Sequence, residues 1–303
     1  MKIFQKILKI ELYTHGMRWR MFLGRVVRQL LPNFRLRPHL ASLFGRSVRV
    51  SVLGKALNMD LRDDAMSSTL FAEGIWEPEE TSFVGKALQP GMVFVDVGAN
   101  IGYYTVIASG IVGSAGKVFA FEPDPKNFEL LQKNIDTNGC ENVIAVQKAV
   151  TASVQSLFLY RSNNNFGDHR VYEPHGEFLA GNVRSAIAIE SVSLDQYFDL
   201  NLARIDLLKM DIQGSEYDAF VGMRKLLERY SDITILTEFW PKGLAQAGAS
   251  PKVFLDEVRK SKFKIFRLDA RGSREVSDRD ILGDLSEDGY MNLVFSRRVL
   301  LPW

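Results

Sequence analysis

The run Val93-Phe94-Val95-Asp96-Val97-Gly98-Ala99-Asn100-Ile101-Gly102 constrains this chain more than any other stretch. An apolar strand pattern ends in an acid, a glycine-rich turn follows, and helical spacing begins at its end. Such a unit opens a nucleotide-type site at the carboxyl edge of a parallel sheet, because glycine lets the backbone pass close to a ligand. Two common versions are excluded. A dinucleotide fingerprint starting at Gly98 needs glycine at positions 100 and 103, where the chain has Asn100 and Tyr103, and no Gly-Lys-Ser/Thr follows to make a P-loop. Asp96 would repel a pyrophosphate. It suits a ligand carrying an ammonium or sulfonium group.

The same texture continues along the chain. Buried-strand patterns at 93–97, 117–121, 143–148, 205–210 and 233–237 alternate with helical patterns at 102–112, 125–138, 215–229 and 251–261. That alternation predicts a mostly parallel α/β sheet with helices on both faces. Strands near 264–268 and 291–296 complete it, and extra strands at 157–160 and 187–192 flank a polar loop. Upstream, alternation at 48–52 and 57–61 predicts two short strands, and Pro78-Glu79-Glu80 reads as a helix start with acids in the first turn. Hydrophobic residues at 46% and charged residues at 24% exclude a disordered chain. The single cysteine, Cys140, excludes a disulfide scaffold and a Cys-rich zinc site.

Two further acids repeat the motif of an acid at a strand end. Glu122 closes the strand pattern ending at Phe121 and precedes Pro123. An acid about 20 residues after the glycine-rich turn is placed to accept both ribose hydroxyls, and a carboxylate has the acceptors for a vicinal diol. Lys209-Met210-Asp211-Ile212-Gln213-Gly214-Ser215-Glu216 again runs from an apolar strand through an acid and a glycine into a helix. Asp211 and Glu216 would join Asp96 and Glu122 at one edge. Four carboxylates there exceed what stability asks, since crowding buried acids is costly. The plainer alternative gives Asp211 a capping role and Glu216 a surface one.

Taken in order, Asp96 to Thr105, Phe121-Glu122-Pro123 and Lys209 to Glu216 resemble the FkbM family of S-adenosylmethionine-dependent methyltransferases. Trp76-Glu77-Pro78-Glu79-Glu80 and Met291 to Phe295 also fit it. The resemblance implies a Rossmann-like class I methyltransferase fold with a seven-stranded sheet holding one antiparallel strand. It implies S-adenosylmethionine as cofactor, with Asp96, Gly98, Asn100 and Gly102 at its methionine part, and Glu122 with Pro123 at its ribose. Two departures stand out. Lys148-Ala149-Val150 lies where many members of the wider class carry an acid for adenine, and Gln213 replaces a usual Glu. Adenine recognition is then left to backbone groups and apolar side chains.

On the acceptor side the expected reaction is O-methylation of a hydroxyl on a sugar, glycolipid or secondary metabolite. The alternatives are a catalytically silent docking protein of the same fold and a nicotinamide-dependent oxidoreductase. A general base should take the hydroxyl proton. Candidates are Asp211, Glu238, Glu216, His169 and His175, with Asp211, Glu238 and His169 foremost. Asp211 and Glu238 could instead share a divalent cation. The amide-rich loop from Asn163, holding both histidines, would cover the acceptor pocket, and Trp240 could stack on a sugar or pack in the core.

The charge is uneven. Residues 1–50 hold 11 basic side chains against Glu11 alone, a net +10, so the other 253 carry −8. The expected organisation is a basic amphipathic extension over 1–50 and a methyltransferase domain over 51–303, with a strand and helix lead-in at 51–90. No apolar run is long enough to span a bilayer, and the N-terminus lacks a signal peptide's h-region. The expected location is cytoplasmic, with the extension addressed to an anionic membrane inner face or packed on the acidic body. No nucleic-acid motif accompanies the charge, and nucleic acid is not an expected partner.

Overall fold

The computed structural model describes residues 47–174, 184–198, 202, 204–286 and 289–298. Most of the basic extension and His175 lie outside them. The described chain opens with an antiparallel hairpin, β1 (Ser47–Val52) and β2 (Lys55–Asp60), followed by α1 (Met66–Glu73) and α2 (Pro78–Ala87). Then come β3 (Val93–Val97), α3 (Tyr103–Val112), β4 (Lys117–Phe121), α4 (Pro125–Thr137) and β5 (Val143–Val146). Short β6 (Ala149–Val150) joins the hairpin β7 (Ser156–Arg161) and β8 (Ser185–Val192) in a separate small sheet. The winding resumes with α5 (Leu194–Tyr197), β9 (Leu207–Met210), α6 (Glu216–Val221), α7 (Arg224–Arg229) and β10 (Thr234–Phe239). It ends with α8 (Pro241–Gln246), α9 (Pro251–Lys260), β11 (Lys264–Asp269), β12 (Gly272–Glu275), α10 (Asp278–Gly283) and β13 (Met291–Ser296).

The central sheet has the order β12-β11-β13-β10-β9-β3-β4-β5. β5, β4, β3, β9 and β10 pair in parallel, and β13 is antiparallel to both β10 and β11. Seven of these strands match the expected sheet. β12 adds an eighth at the edge, paired to β11 across a turn at Gly272, which takes φ 104°. Its Gly-Ser-Arg-Glu sequence has no apolar alternation, so pairing rather than pattern makes it a strand. β3 lies between β4 and β9, so the chain order reverses there. A crevice opens at the carboxyl ends of such strands.

Alternation along each strand divides the core. Val93, Val95, Val97, Leu208, Met210 and Ile235 pack with α6, α7 and α9 on one face. Phe94, Leu207 and Leu236 pack with α2, α3 and the β1–β2 hairpin on the other. The register places Asp96 beside Lys209, both on the second face, and Glu238 follows Leu236 there. The predicted helix over 215–229 is broken. A Cβ on Gly222 would stand 2.2 Å from the Thr151 carbonyl oxygen, so the backbones touch at that point. The Asp195 carboxylate then accepts from Lys225 N (3.1 Å) and Leu226 N (2.8 Å), starting α7 anew.

Candidate functional site

The turn after β3 forms a cradle. Gly98 takes φ 83°, and a Cβ there would lie 2.0 Å from the Asp211 carbonyl oxygen, so the β3 and β9 turns touch at a position only glycine can fill. Gly98 N and Ala99 N both donate to Phe121 O, at 3.0 and 2.9 Å. Asn100, at φ 51°, donates its backbone N–H to Glu122 Oε2 at 2.8 Å, and Asp124 N donates to Glu122 Oε1 at 2.8 Å. Two backbone donors thus fix the carboxylate, and each oxygen keeps a lone pair for a further donor. Burial pushes the Glu122 carboxyl up to about 8, against the pull of those donors.

A cavity of about 50 Å³ lies along this edge. Gly98, Asn100, Glu122 and Pro123 bound one side, Lys148, Ala149 and Val150 a second, and Asp211, Ile212, Gln213 and Ser215 a third. Asp96, near the end of β3, is buried and does not itself bound the cavity. Its Oδ2 accepts from Thr105 Oγ1 at 2.6 Å, while its Oδ1 and Asn100 Oδ1 are buried without a hydrogen-bond partner among the described residues. Orphaned buried acceptors are costly. An ammonium group, with donors only, would satisfy them. An ammonium, a ribose diol and a flat apolar ring belong to one molecule in S-adenosylmethionine, and the residues present fit it. Gly102 does not bound the cavity. A Cβ there would stand 2.6 Å from Leu131 Cδ1, so this glycine serves the packing of α3 on α4.

The acceptor side gathers more acids than the strand ends predict. Lys209 is buried, with Nζ 3.2 Å from Asp211 Oδ2 and 4.6 Å from the centroid of the Tyr104 ring. Burial alone would lower the Lys209 ammonium, but Asp211, Glu77 and Asp96 hold it above its ordinary value. Glu77 precedes α2 at φ 41° and accepts from Tyr104 Oη at 2.9 Å. Burial pushes its carboxyl up to about 7. Gln213, at φ 56°, donates to Asp211 Oδ1 at 2.9 Å and to Glu238 Oε2 at 3.4 Å. Burial, with Asp211, Glu216 and Glu77 close by, holds the Glu238 carboxyl well above its usual range. Asn100, Glu77 and Gln213 all sit in the left-handed region, where non-glycine residues store strain. Strand alternation could have flagged Lys209, an interior cation in an apolar run. Nothing in the sequence placed Glu77.

Two candidate bases take other positions. Glu216 accepts from Ile212 N at 3.0 Å and Gly214 N at 3.0 Å, so its carboxylate holds the turn after β9. His169 bounds the cavity, with Nε2 3.9 Å from Asp124 Oδ2. Its Nδ1 accepts from Ser162 N at 3.1 Å, and burial lowers it to about 4. The polar loop, in its described part, therefore borders the same cavity as Glu122 and Asp211. Trp240 is buried under Arg170, whose guanidinium carbon lies 4.7 Å from the ring centroid, which makes it core. No group of three or more His, Cys, Asp or Glu able to hold a metal ion occurs among the described residues, and Lys209 supplies the counter-charge at Asp211.

Several known proteins resemble this chain. Methyltransferase sdnD of Sordaria araneosa is 28% identical over 177 residues, 50% of this chain and 67% of that one. The 2-O-methyltransferase NoeI of Sinorhizobium fredii is 24% identical over 207 residues, 61% and 81% of the two. The hexuronic acid methyltransferase AglP of Haloferax volcanii is 26% identical over 145 residues, 47% of this chain and 54% of that one. The chain thus spans about half of AglP's length. A solved structure, a putative rRNA-methylase from Clostridium thermocellum, superposes at a TM-score of 0.44 and 12% identity, over 72% of this chain and 95% of the other. The Methyltransferase FkbM domain matches residues 96–265. The matched span covers the glycine turn, Glu122, the Asp211 motif and Glu238, more than half of the chain, and the protein belongs to the FkbM family of S-adenosylmethionine-dependent methyltransferases.

Proposed function

We propose that this protein transfers a methyl group to a hydroxyl of a sugar or sugar-like acceptor. The carrying observation is Asp211, which borders the cofactor cavity and is paired with buried Lys209 at 3.2 Å. Its side chain is 25% exposed, so an acceptor can reach it. Two relatives named for a hexuronic acid and for 2-O-methylation point the same way. Asp96, Asn100 and Glu122 would hold the cofactor, which when bound supplies an electrophilic methyl group and leaves as a neutral thioether. Asp211 takes the acceptor hydroxyl proton as the oxygen–carbon bond forms. Lys209 Nζ, 3.2 Å from Asp211 Oδ2, holds the carboxylate in place. Glu238, whose carboxyl is held above its usual range by burial and by Asp211, Glu216 and Glu77, lies within 3.4 Å of Gln213 Nε2 and would contact a second acceptor oxygen. Alignment of this kind can supply ~7–11 kcal/mol of a barrier in favourable cases.

The test is to incubate the full-length protein with S-adenosylmethionine and a panel of neutral, acidic and amino glycosides, following product mass. A gain of one methyl group on a glycoside oxygen is expected. Transfer confined to nitrogen or carbon acceptors would contradict the reading.

A further inference from the structure

We propose that the loop segment 162–171, which follows β7, completes the cofactor site, with Phe166 and His169 clasping the adenosine end of S-adenosylmethionine. The inference rests on the methyltransferase reading of the cavity.

Phe166, Gly167 and His169 bound the cavity together with Glu122, Pro123 and Ala149. One backbone unit of this loop is held from three places. Phe166 O accepts from Asn127 Nδ2 at 2.9 Å and from Asn100 Nδ2 at 3.4 Å. Phe166 N donates to Asp63 Oδ1 at 3.1 Å, and next to it Asp64 N donates to Asn164 O at 2.7 Å. These anchors belong to the start of α4, the cofactor turn itself and the segment after β2. A polar surface loop needs no such long-range fastening. Here it sets the Phe166 ring against the cavity, with the His169 ring 6.2 Å away, centroid to centroid.

His169 adds a directed donor. Ser162 N donates to Nδ1, which leaves the ring proton on Nε2. Nε2 lies 3.9 Å from Asp124 Oδ2, beyond hydrogen-bond reach, in a side chain only 7% exposed. A buried donor on a cavity wall matches a ring nitrogen of a purine or a ribose oxygen.

The loop also supplies what the adjoining wall lacks. Lys148, Ala149 and Val150 offer no acid to read the adenine amine. An aromatic face and one N–H donor can hold a purine without it. The hydrogen bond from Phe166 N to Asp63 Oδ1 ties the lead-in to this wall of the cavity.

Calorimetric titration of the full-length wild type, Phe166→Ala, His169→Ala and Phe158→Ala with S-adenosylhomocysteine and with 5′-methylthioadenosine tests the proposal. Phe158 is an exposed residue of the same hairpin, outside the cavity. Phe166→Ala should weaken both ligands by roughly tenfold or more, the scale of one stacked base, with an unchanged melting temperature. His169→Ala should weaken both, and Phe158→Ala neither. Hydrogen exchange at Phe166–His169 should slow when S-adenosylhomocysteine is added. Wild-type affinity in Phe166→Ala overturns the proposal, as does a loss seen with S-adenosylhomocysteine alone, which would place the loop at the amino-acid end. Failure of the wild type to bind either ligand overturns the methyltransferase reading itself, a result distinct from wild-type binding that Phe166→Ala leaves unchanged.

Discussion

Asp211 is the residue on which the chemistry turns. Its oxygens are addressed by Lys209 Nζ at 3.2 Å and Gln213 Nε2 at 2.9 Å, so its position is fixed while its side chain stays partly open. Asp211→Asn keeps the shape and removes the proton acceptor. We expect kcat to fall about 10²- to 10⁴-fold, with affinity for S-adenosylhomocysteine within a few-fold of wild type. A loss of affinity equal to the loss of kcat would assign Asp211 to cofactor binding instead. At this scale the acids at strand ends were legible in the sequence, because a parallel sheet delivers every strand end to one edge. Asp96, Glu122 and Asp211 follow from that rule alone. Lys209 and Glu77 do not, since their meeting depends on strand alternation across β3 and β9 and on a left-handed residue before α2. Glu216 reaches that edge as well, but its carboxylate folds back onto the turn after β9, which spacing does not reveal.

Among the elements, the lead-in hairpin is tied to α4 by a buried asparagine pair, beside Asn138, which exchanges hydrogen bonds with Ala56. Asn134 Oδ1 accepts from Asn58 N at 2.7 Å and Asn58 Nδ2 at 3.0 Å, and Asn134 Nδ2 donates to Asn58 O at 3.0 Å and Ile101 O at 2.8 Å. Both residues are buried. Asn134→Ala strands these groups without water, and we expect a loss of about 1–3 kcal/mol in denaturant unfolding. A change below ~0.5 kcal/mol would show that water replaces the lost bonds. Strand and helix positions over 93–146 were readable because their apolar periods are long and uninterrupted. β12 and the break after α6 were not, since one is made by hairpin pairing and the other by Gly222 meeting the Thr151 backbone. The loop's fastening beside this cavity also escaped the sequence, because its anchors Asp63, Asn100 and Asn127 lie far from it along the chain.

The molecule as a whole carries its acids where they cost stability. Glu77 and Glu216 are pushed up to about 7 and Glu122 to about 8, against ~4.3 for an unfolded Glu. The folded state keeps protons that the unfolded chain releases, so these groups' contribution is full below the unfolded value and is lost as pH rises toward 8. His169, lowered to about 4, acts with the opposite sign only below ~6.5. Among the described residues the carboxyls act alone from about pH 6.5 to 8, and the melting temperature of the ligand-free protein should fall across that window; a rise would contradict the burial of these acids. The basic segment lies outside the described residues, and no helix among those described is long and apolar enough to cross a membrane. At ~1 kcal/mol per Lys or Arg near anionic lipid, the full chain should float with phosphatidylserine vesicles, and a version lacking residues 1–46 should not. Equal flotation would assign the charge to another partner. The central claim is that the edge holding Asp96, Asn100 and Glu122 binds S-adenosylmethionine. Calorimetric titration of S-adenosylhomocysteine into wild type and Glu122→Ala tests it most directly. The account predicts one site per chain in the wild type and at least tenfold weaker binding in the variant. No binding by the wild type, or equal binding by both, would contradict it.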